Sequence, residues 1–204
     1  MTTTLYLIRH AEPDRQNHDD LTRALTEKGR RDTALVTACL TGKRIAAVYS
    51  SPYRRALDTV RPFAEQAGLT IRVDADLRER AVGGWIEDFW SFAARQWADF
   101  DFALPDGESL RQVQARCLRA LSRILADCPG QAAAAGGHGT AICALLNALD
   151  PSFGFPQFRD MVDRMPWAVC LRFDGPRCTE IEETDLFSGA VTRRLPERSR
   201  HELL

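Results

Sequence analysis

The chain has 204 residues and a formal net charge of -1, with 27 Lys and Arg against 28 Asp and Glu. That balance, with no long basic run, excludes a general nucleic-acid binder, which needs a clustered positive surface. Hydrophobic residues make up 45% and charged residues 27%, an ordinary globular composition, and a chain of this length buries enough apolar surface to fold without disulfides or a structural metal.

The length points to a single domain over residues 1–204. The opening MTTTLYLIRH lacks the basic and long apolar regions of a signal peptide, and no apolar run reaches membrane-span length, so a cytoplasmic protein with no membrane partner is expected. Six cysteines lie at 39, 117, 128, 143, 170 and 178. They form no C-x-x-C pair and no zinc spacing, and read as buried thiols in a reducing compartment.

Thr4 to Ile8 is a short β-favouring apolar run and reads as a buried strand. Residues 11–24 are polar and read as a loop. Thr26 is placed to N-cap a helix to about Leu40, with Gly42 beyond it as a stop. Ile45 to Tyr49 reads as a second strand, followed by Ser51 as N-cap and Pro52 as first residue of a helix ending at Gly68. Leu69 to Val73 reads as a third strand. The stretch from Trp85 to about Leu104 is rich in tryptophan and phenylalanine and reads as an inserted helical flap, more subdomain core than substrate pocket. Leu110, Val113, Cys117, Leu121, Ile124 and Leu125 then mark a long amphipathic helix, with Glu108 expected to support its start. Gln131 to Ala135 reads as a central strand, Gly136 to Gly139 as a tight turn, and Thr140 to Leu149 as a helix. Trp167 to Phe173 and Cys178 to Ile181 read as strands around a turn, and the charged tail from about Ser188 as frayed. Alternating strands and helices imply an α/β class, a three-layer α/β/α sandwich with a mostly parallel central sheet, helices on both faces and the small flap.

In such sheets ligands bind beyond the carboxyl ends of the strands. Arg9 and His10 end the first strand, Arg54 and Arg55 follow the second, Glu79 follows the third, and His138 follows the next in a glycine turn that opens a helix. These groups suit phosphoryl transfer. Imidazole is a nucleophile near neutral pH, and attack on phosphorus divides one hard displacement into two easier ones. Arginine forks match the equatorial phosphate oxygens. A helix N-terminus at Gly139 adds N–H donors, and a carboxyl group protonates the leaving oxygen. The set requires neither metal nor cofactor.

The segments LYLIRHAE, LTEKG, YSSPYRRALDT, LRERAVGGW, PDGESL and GGHGTAI, in this order between residues 5 and about 145, resemble the motifs of the histidine phosphatase superfamily, also called phosphoglycerate mutase-like. The resemblance implies that His10 is the phosphorylated nucleophile, that Arg9, Arg55, His138 and the turn at Gly139 hold the phosphate, and that Glu79 donates the proton and later activates water. Arg55, directly before Ala56, is selected over Arg54. The chain departs from the pattern with Ala11 after the nucleophile, Gln16 where Asn is usual, Gly137 and Thr140 around His138, and Asp58 for a common glutamine. The expected activity is a metal-independent phosphomonoesterase acting on a small phosphate ester. The alternatives are a phosphoglycerate mutase and a catalytically weak phosphate-binding protein. Arg80 and Arg95 are the only cations between Glu79 and Gly107, which argues against the mutase, because that enzyme must also hold a carboxylate.

Overall fold

The computed structural model describes residues 1–84 and 86–196. Its strands are β1 (Thr2–Arg9), β2 (Ile45–Ser50), β3 (Ile71–Val73), β4 (Ala132–Gly137), β5 (Trp167–Asp174), β6 (Arg177–Asp185) and β7 (Val191–Arg194). Among the described residues they form one sheet in the order β3-β2-β4-β1-β5-β6-β7, with β1 at its centre. The helices are α1 (Glu27–Leu40), α2 (Arg54–Gln66), α3 (Phe89–Ala98), α4 (Leu110–Asp127), α5 (Gly139–Leu149) and α6 (Phe155–Met161).

The layering follows from the period-two alternation of the strands. Leu5, Leu7, Ala47, Tyr49, Ala133, Ala135, Val169 and Leu171 point into one apolar layer with side chains of α3, α4, α5 and α6. Ile8, Val48, Ala134 and Ala168 point the other way, onto Val36 and Leu40 of α1 and Val60, Phe63 and Ala64 of α2. Strands apolar on both faces must be covered on both, which gives the α/β/α sandwich. The alanines of β4 keep the middle of the sheet thin. Five of the cysteines are buried, the sixth is half-buried, and all six are unpaired.

The structure departs from the sequence reading in several places. The sheet is parallel only over β3-β2-β4-β1; β5, β6 and β7 run antiparallel. The last two links are short hairpin turns, which cannot join parallel neighbours. The segment expected to fray from Ser188 instead forms β7, whose Arg193 and Arg194 pair with Glu182 and Glu183 of β6; residues 197–204 lie outside the described residues. Helix α2 starts at Arg54 after Tyr53, not at Pro52, and Ser51 does not cap it at the first turn. In the flap, α3 is capped by Asp88, whose side chain accepts from the Ser91 amide. Phe92 is buried while Phe89 and Trp90 are partly exposed, so the flap supplies both core and surface. Trp85 lies outside the described residues. Thr26, by contrast, caps α1 by accepting from the Gly29 amide, as its position predicts.

Candidate active site

Strand register brings the site together. Ile8 and Arg9 of β1 sit opposite Gly136 and Gly137 of β4, and Gly136 sits opposite Ser50 of β2. The carboxyl ends of three adjacent parallel strands are therefore level. The His10 amide donates to the Gly137 carbonyl at 3.1 Å, and the Ser51 amide donates to the Gly136 carbonyl at 2.9 Å. His10 and His138 face each other edge to face, with ring centroids 5.3 Å apart.

His10 is buried, and its Nδ1 lies 2.7 Å from the Ala11 carbonyl oxygen. That oxygen only accepts, so Nδ1 carries the proton. Burial foremost, then the charges of Arg55 and Arg9, holds the His10 pKa well below its ordinary value. The ring is therefore neutral, and its second nitrogen, Nε2, keeps a lone pair. The carbonyl that fixes this tautomer is itself fixed: the Ala11 amide donates to Thr59 Oγ1 at 3.0 Å, and Thr59 donates to the Arg55 carbonyl at 2.7 Å. Ala11 is fully buried, so its methyl group is part of the packing.

His138 is fully buried, and its Nε2 is 2.8 Å from Ser51 Oγ, while its Nδ1 has no hydrogen-bond partner. Burial, then His10 and Arg55, lowers its pKa too. Tyr53 lies between His138, 5.1 Å away ring to ring, and the guanidinium of Arg55, 5.0 Å from the ring centre. Arg55 is 2% exposed. Its Nη1 donates to the Asp20 carbonyl at 2.8 Å and its Nη2 meets the Asp20 carboxylate at 3.0 Å. The loop of residues 11–24 thus reaches the site through an acid that the sequence reading did not single out.

Arg9 is also buried, but its Nη1 donates to the carbonyls of Met161, Val162 and Arg164, at the C-terminal end of α6, at 2.8, 2.8 and 3.1 Å. Its buried Nε has no partner. Burial brings its pKa down to about 10, still protonated at neutral pH. Gly139 leaves room for this side chain: a Cβ there would lie 3.1 Å from Arg9 Nε and 3.2 Å from Met161 Cε. The close approach that this glycine permits is to Arg9.

Glu79 reaches the first turn of α5. Its Oε1 accepts from the amides of Ala141 at 3.0 Å and Arg80 at 2.8 Å, and its Oε2 accepts from the Thr140 amide at 3.1 Å. Two of the helix N-terminal donors expected to meet a phosphate are therefore engaged by this carboxylate, a placement the helix dipole favours.

All six residues expected at the site, Arg9, His10, Arg55, Glu79, His138 and Gly139, thus lie on elements that meet at this end of the sheet. Arg54 is on the outer side, paired with Asp58. Ser51, Tyr53, Thr59 and Asp20 complete the surroundings. Ser51, Tyr53 and Thr59 all lie within the YSSPYRRALDT segment, but nothing in their identity separates a bond to the site from a bond to the helix. Among the described residues no three His, Cys, Asp or Glu side chains are grouped as metal ligands, and no helix is long and apolar enough to cross a membrane.

Comparison with known proteins identifies the family. Residues 5–170 match the family model of the histidine phosphatase superfamily, branch 1. The chain is 33% identical over 166 residues to the bifunctional protein Rv2228c of Mycobacterium tuberculosis (strain H37Rv); the match takes in 74% of this chain but only 46% of that protein. It is 30% identical over 165 residues to the glucosyl-3-phosphoglycerate phosphatase of the same organism, over 71% of this chain and 74% of the relative. A solved mycobacterial glucosyl-3-phosphoglycerate phosphatase, complexed with VO3, superposes with a TM-score of 0.70 at 23% identity, covering 96% of this chain and 99% of that one.

Proposed function

The chain belongs to the histidine phosphatase superfamily, and we propose that it hydrolyses small phosphate monoesters through a phosphohistidine on His10. The observation that carries this reading is the bond from His10 Nδ1 to the Ala11 carbonyl, which leaves a neutral ring with its lone pair on Nε2. Nε2 attacks phosphorus and forms the P–N bond as the P–O bond to the leaving group breaks. The leaving oxygen takes a proton from Glu79. Amides donate twice to Oε1 and once to Oε2 of Glu79, so Oε2 is the oxygen with more room to carry and pass on the proton. In the second half, Glu79 takes a proton from water, the water oxygen bonds to phosphorus, and the P–N bond breaks to restore neutral His10.

Arg9 and Arg55 neutralise the transferring group, and His138 and the turn at Gly139 orient it. The unpartnered Arg9 Nε and His138 Nδ1 fit this role, since a buried polar atom without a partner costs about 1–3 kcal/mol until something bonds it. The histidines and arginines supply what the transfer needs, without metal or cofactor. A relative named as a glucosyl-3-phosphoglycerate phosphatase supports a small-molecule substrate, and the six free cysteines support a reducing, cytoplasmic setting.

Phosphatase is favoured over mutase by the two cations between Glu79 and Gly107. Arg80 is buried against Gln96 and the Phe92 ring, and Arg95 lies 3.7 Å from the centre of the Phe102 ring. Both make their contacts within the protein. The test is rapid quenching at neutral pH with an aryl phosphate, followed by mass spectrometry of the His10 peptide, beside His10→Ala and a reaction with 3-phosphoglycerate. Phosphate on His10, loss of turnover in folded His10→Ala, and free phosphate rather than an isomer from 3-phosphoglycerate are expected. Full activity in His10→Ala would end this mechanism.

A further inference from the structure

We propose that Glu108 and the buried Arg116 form a clamp that positions the Glu79 carboxylate for proton transfer. The proposal rests on Glu79 being the proton donor. Glu108 was expected to support the start of α4, but that helix is capped by Ser109 and Gln112, which bond each other's backbone amides reciprocally. The Glu108 carboxylate turns instead to the segment that carries Glu79. Its Oε2 accepts from the Ala81 amide at 3.0 Å, and the Glu108 amide donates to the Ala81 carbonyl at 2.8 Å. Its Oε1 accepts from Arg78 at 2.6 Å.

Arg116, 2% exposed, binds both Glu108 oxygens through Nε and Nη2 at 2.9 and 3.0 Å. Its Nη1 donates to the carbonyls of Asp76 and Arg78 at 2.9 and 2.7 Å. Gln96 of the flap helix closes the ring, accepting from Arg80 and donating to the Glu108 carbonyl. Residues 78, 80 and 81, on either side of Glu79, are therefore all held by this network. Burial raises the Glu108 carboxyl, but its bonds to Arg116 and Ala81 outweigh this and keep it below the usual carboxylate range. A buried ion pair is weak evidence for stability, since a hydrophobic replacement often does as well. A bidentate fork that also bonds two carbonyls beside a reacting group fixes the direction of that group.

The test is a series of phosphate esters from alkyl to nitrophenyl leaving groups, read as kcat/KM for the wild type, Glu79→Gln, Glu108→Gln, Arg116→Lys and Glu79→Gln combined with Glu108→Gln. Thermal melts establish which variants are folded; should Glu108→Gln not fold, Arg116→Lys, alone and with Glu79→Gln, carries the same comparison. A proton donor displaced by a fraction of an ångström should slow the alkyl esters by about tenfold and leave nitrophenyl phosphate within about twofold. In the Glu79→Gln background the clamp substitution should add no further loss. Uniform loss across the series, or losses that multiply in the double variant, would reduce the clamp to a structural support. If Glu79→Gln itself slows every ester equally, the donor assignment fails, and the clamp fails with it.

Discussion

A neutral imidazole at His10 and at His138 has thermodynamic consequences. Both are buried and held below the ordinary histidine pKa, whereas in the unfolded chain each takes a proton below about pH 6.5. Above that value neither state is protonated, and these residues make no pH-dependent contribution. Below it the unfolded state binds more protons, so stability should fall by up to about 1.4 kcal/mol per pH unit for each histidine. Urea melts between pH 8 and pH 5 check the slope, and ¹⁵N imidazole shifts check that His10 stays neutral with its proton on Nδ1. A ring that titrates near pH 6.5 would refute the assigned environment. Gly139 tests the proposed phosphate-holding role of Arg9. In Gly139→Ala the new methyl would press on Arg9 Nε and Met161 Cε. A misplaced arginine should lower kcat/KM by about 10- to 100-fold, while the fold is kept, because the backbone at Gly139 is not in the left-handed region that excludes alanine. Wild-type kcat/KM in that variant would show that Arg9 tolerates displacement.

At the scale of elements, the parts of the site legible in the sequence are those written locally. A strand ending in Arg9-His10, a glycine turn around His138 and a helix opening at Arg54-Arg55 are each a few contiguous residues, and parallel register then levels them. The pairings that were not legible join distant segments. Nothing local tells that Arg9 holds the end of α6, that Glu108 serves residues 78–81 instead of α4, or that Asp20 of the 11–24 loop meets Arg55. The last pairing has a measurable effect. The Asp20 carboxylate and carbonyl take both terminal nitrogens of Arg55, so a phosphate bound there as proposed would compete with a built-in anion. Asp20→Asn keeps the shape and the backbone bond but removes the charge. Inorganic phosphate should then inhibit about fivefold more tightly, the difference between a charged and a neutral hydrogen-bond partner. Weaker inhibition would mean that Asp20 orients Arg55 for phosphate instead of competing with it.

For the whole molecule, the two-faced apolar strands were enough to place helices on both sides of a sheet, but not to show where its parallel core gives way. That change depends on β5, β6 and β7 folding back as hairpins, and β7 is a short, exposed, charged strand that resembles a loop by composition. Its partners reveal it: Arg193 meets Glu182 at 2.8 Å and Arg194 meets the buried Glu183 at 3.1 Å. The edge should therefore contribute to stability and not to chemistry. Truncation after Ala190 removes the β7 ladder and leaves Glu183 without Arg194, a loss of about 1–3 kcal/mol for an unpaired buried group. In a chain of this size that corresponds to a fall in melting temperature of about 2–4 °C per kcal/mol. β7 lies three strands from β1, about 14 Å at the usual strand spacing, and none of its residues bonds a group at the carboxyl ends of the parallel strands. The truncated protein, assayed well below its melting temperature, should keep the kcat/KM of the intact chain. A large loss of kcat/KM in a protein still folded by circular dichroism would show that the antiparallel edge bears on the site through β5, whose Trp167 pairs with Arg9 in the sheet.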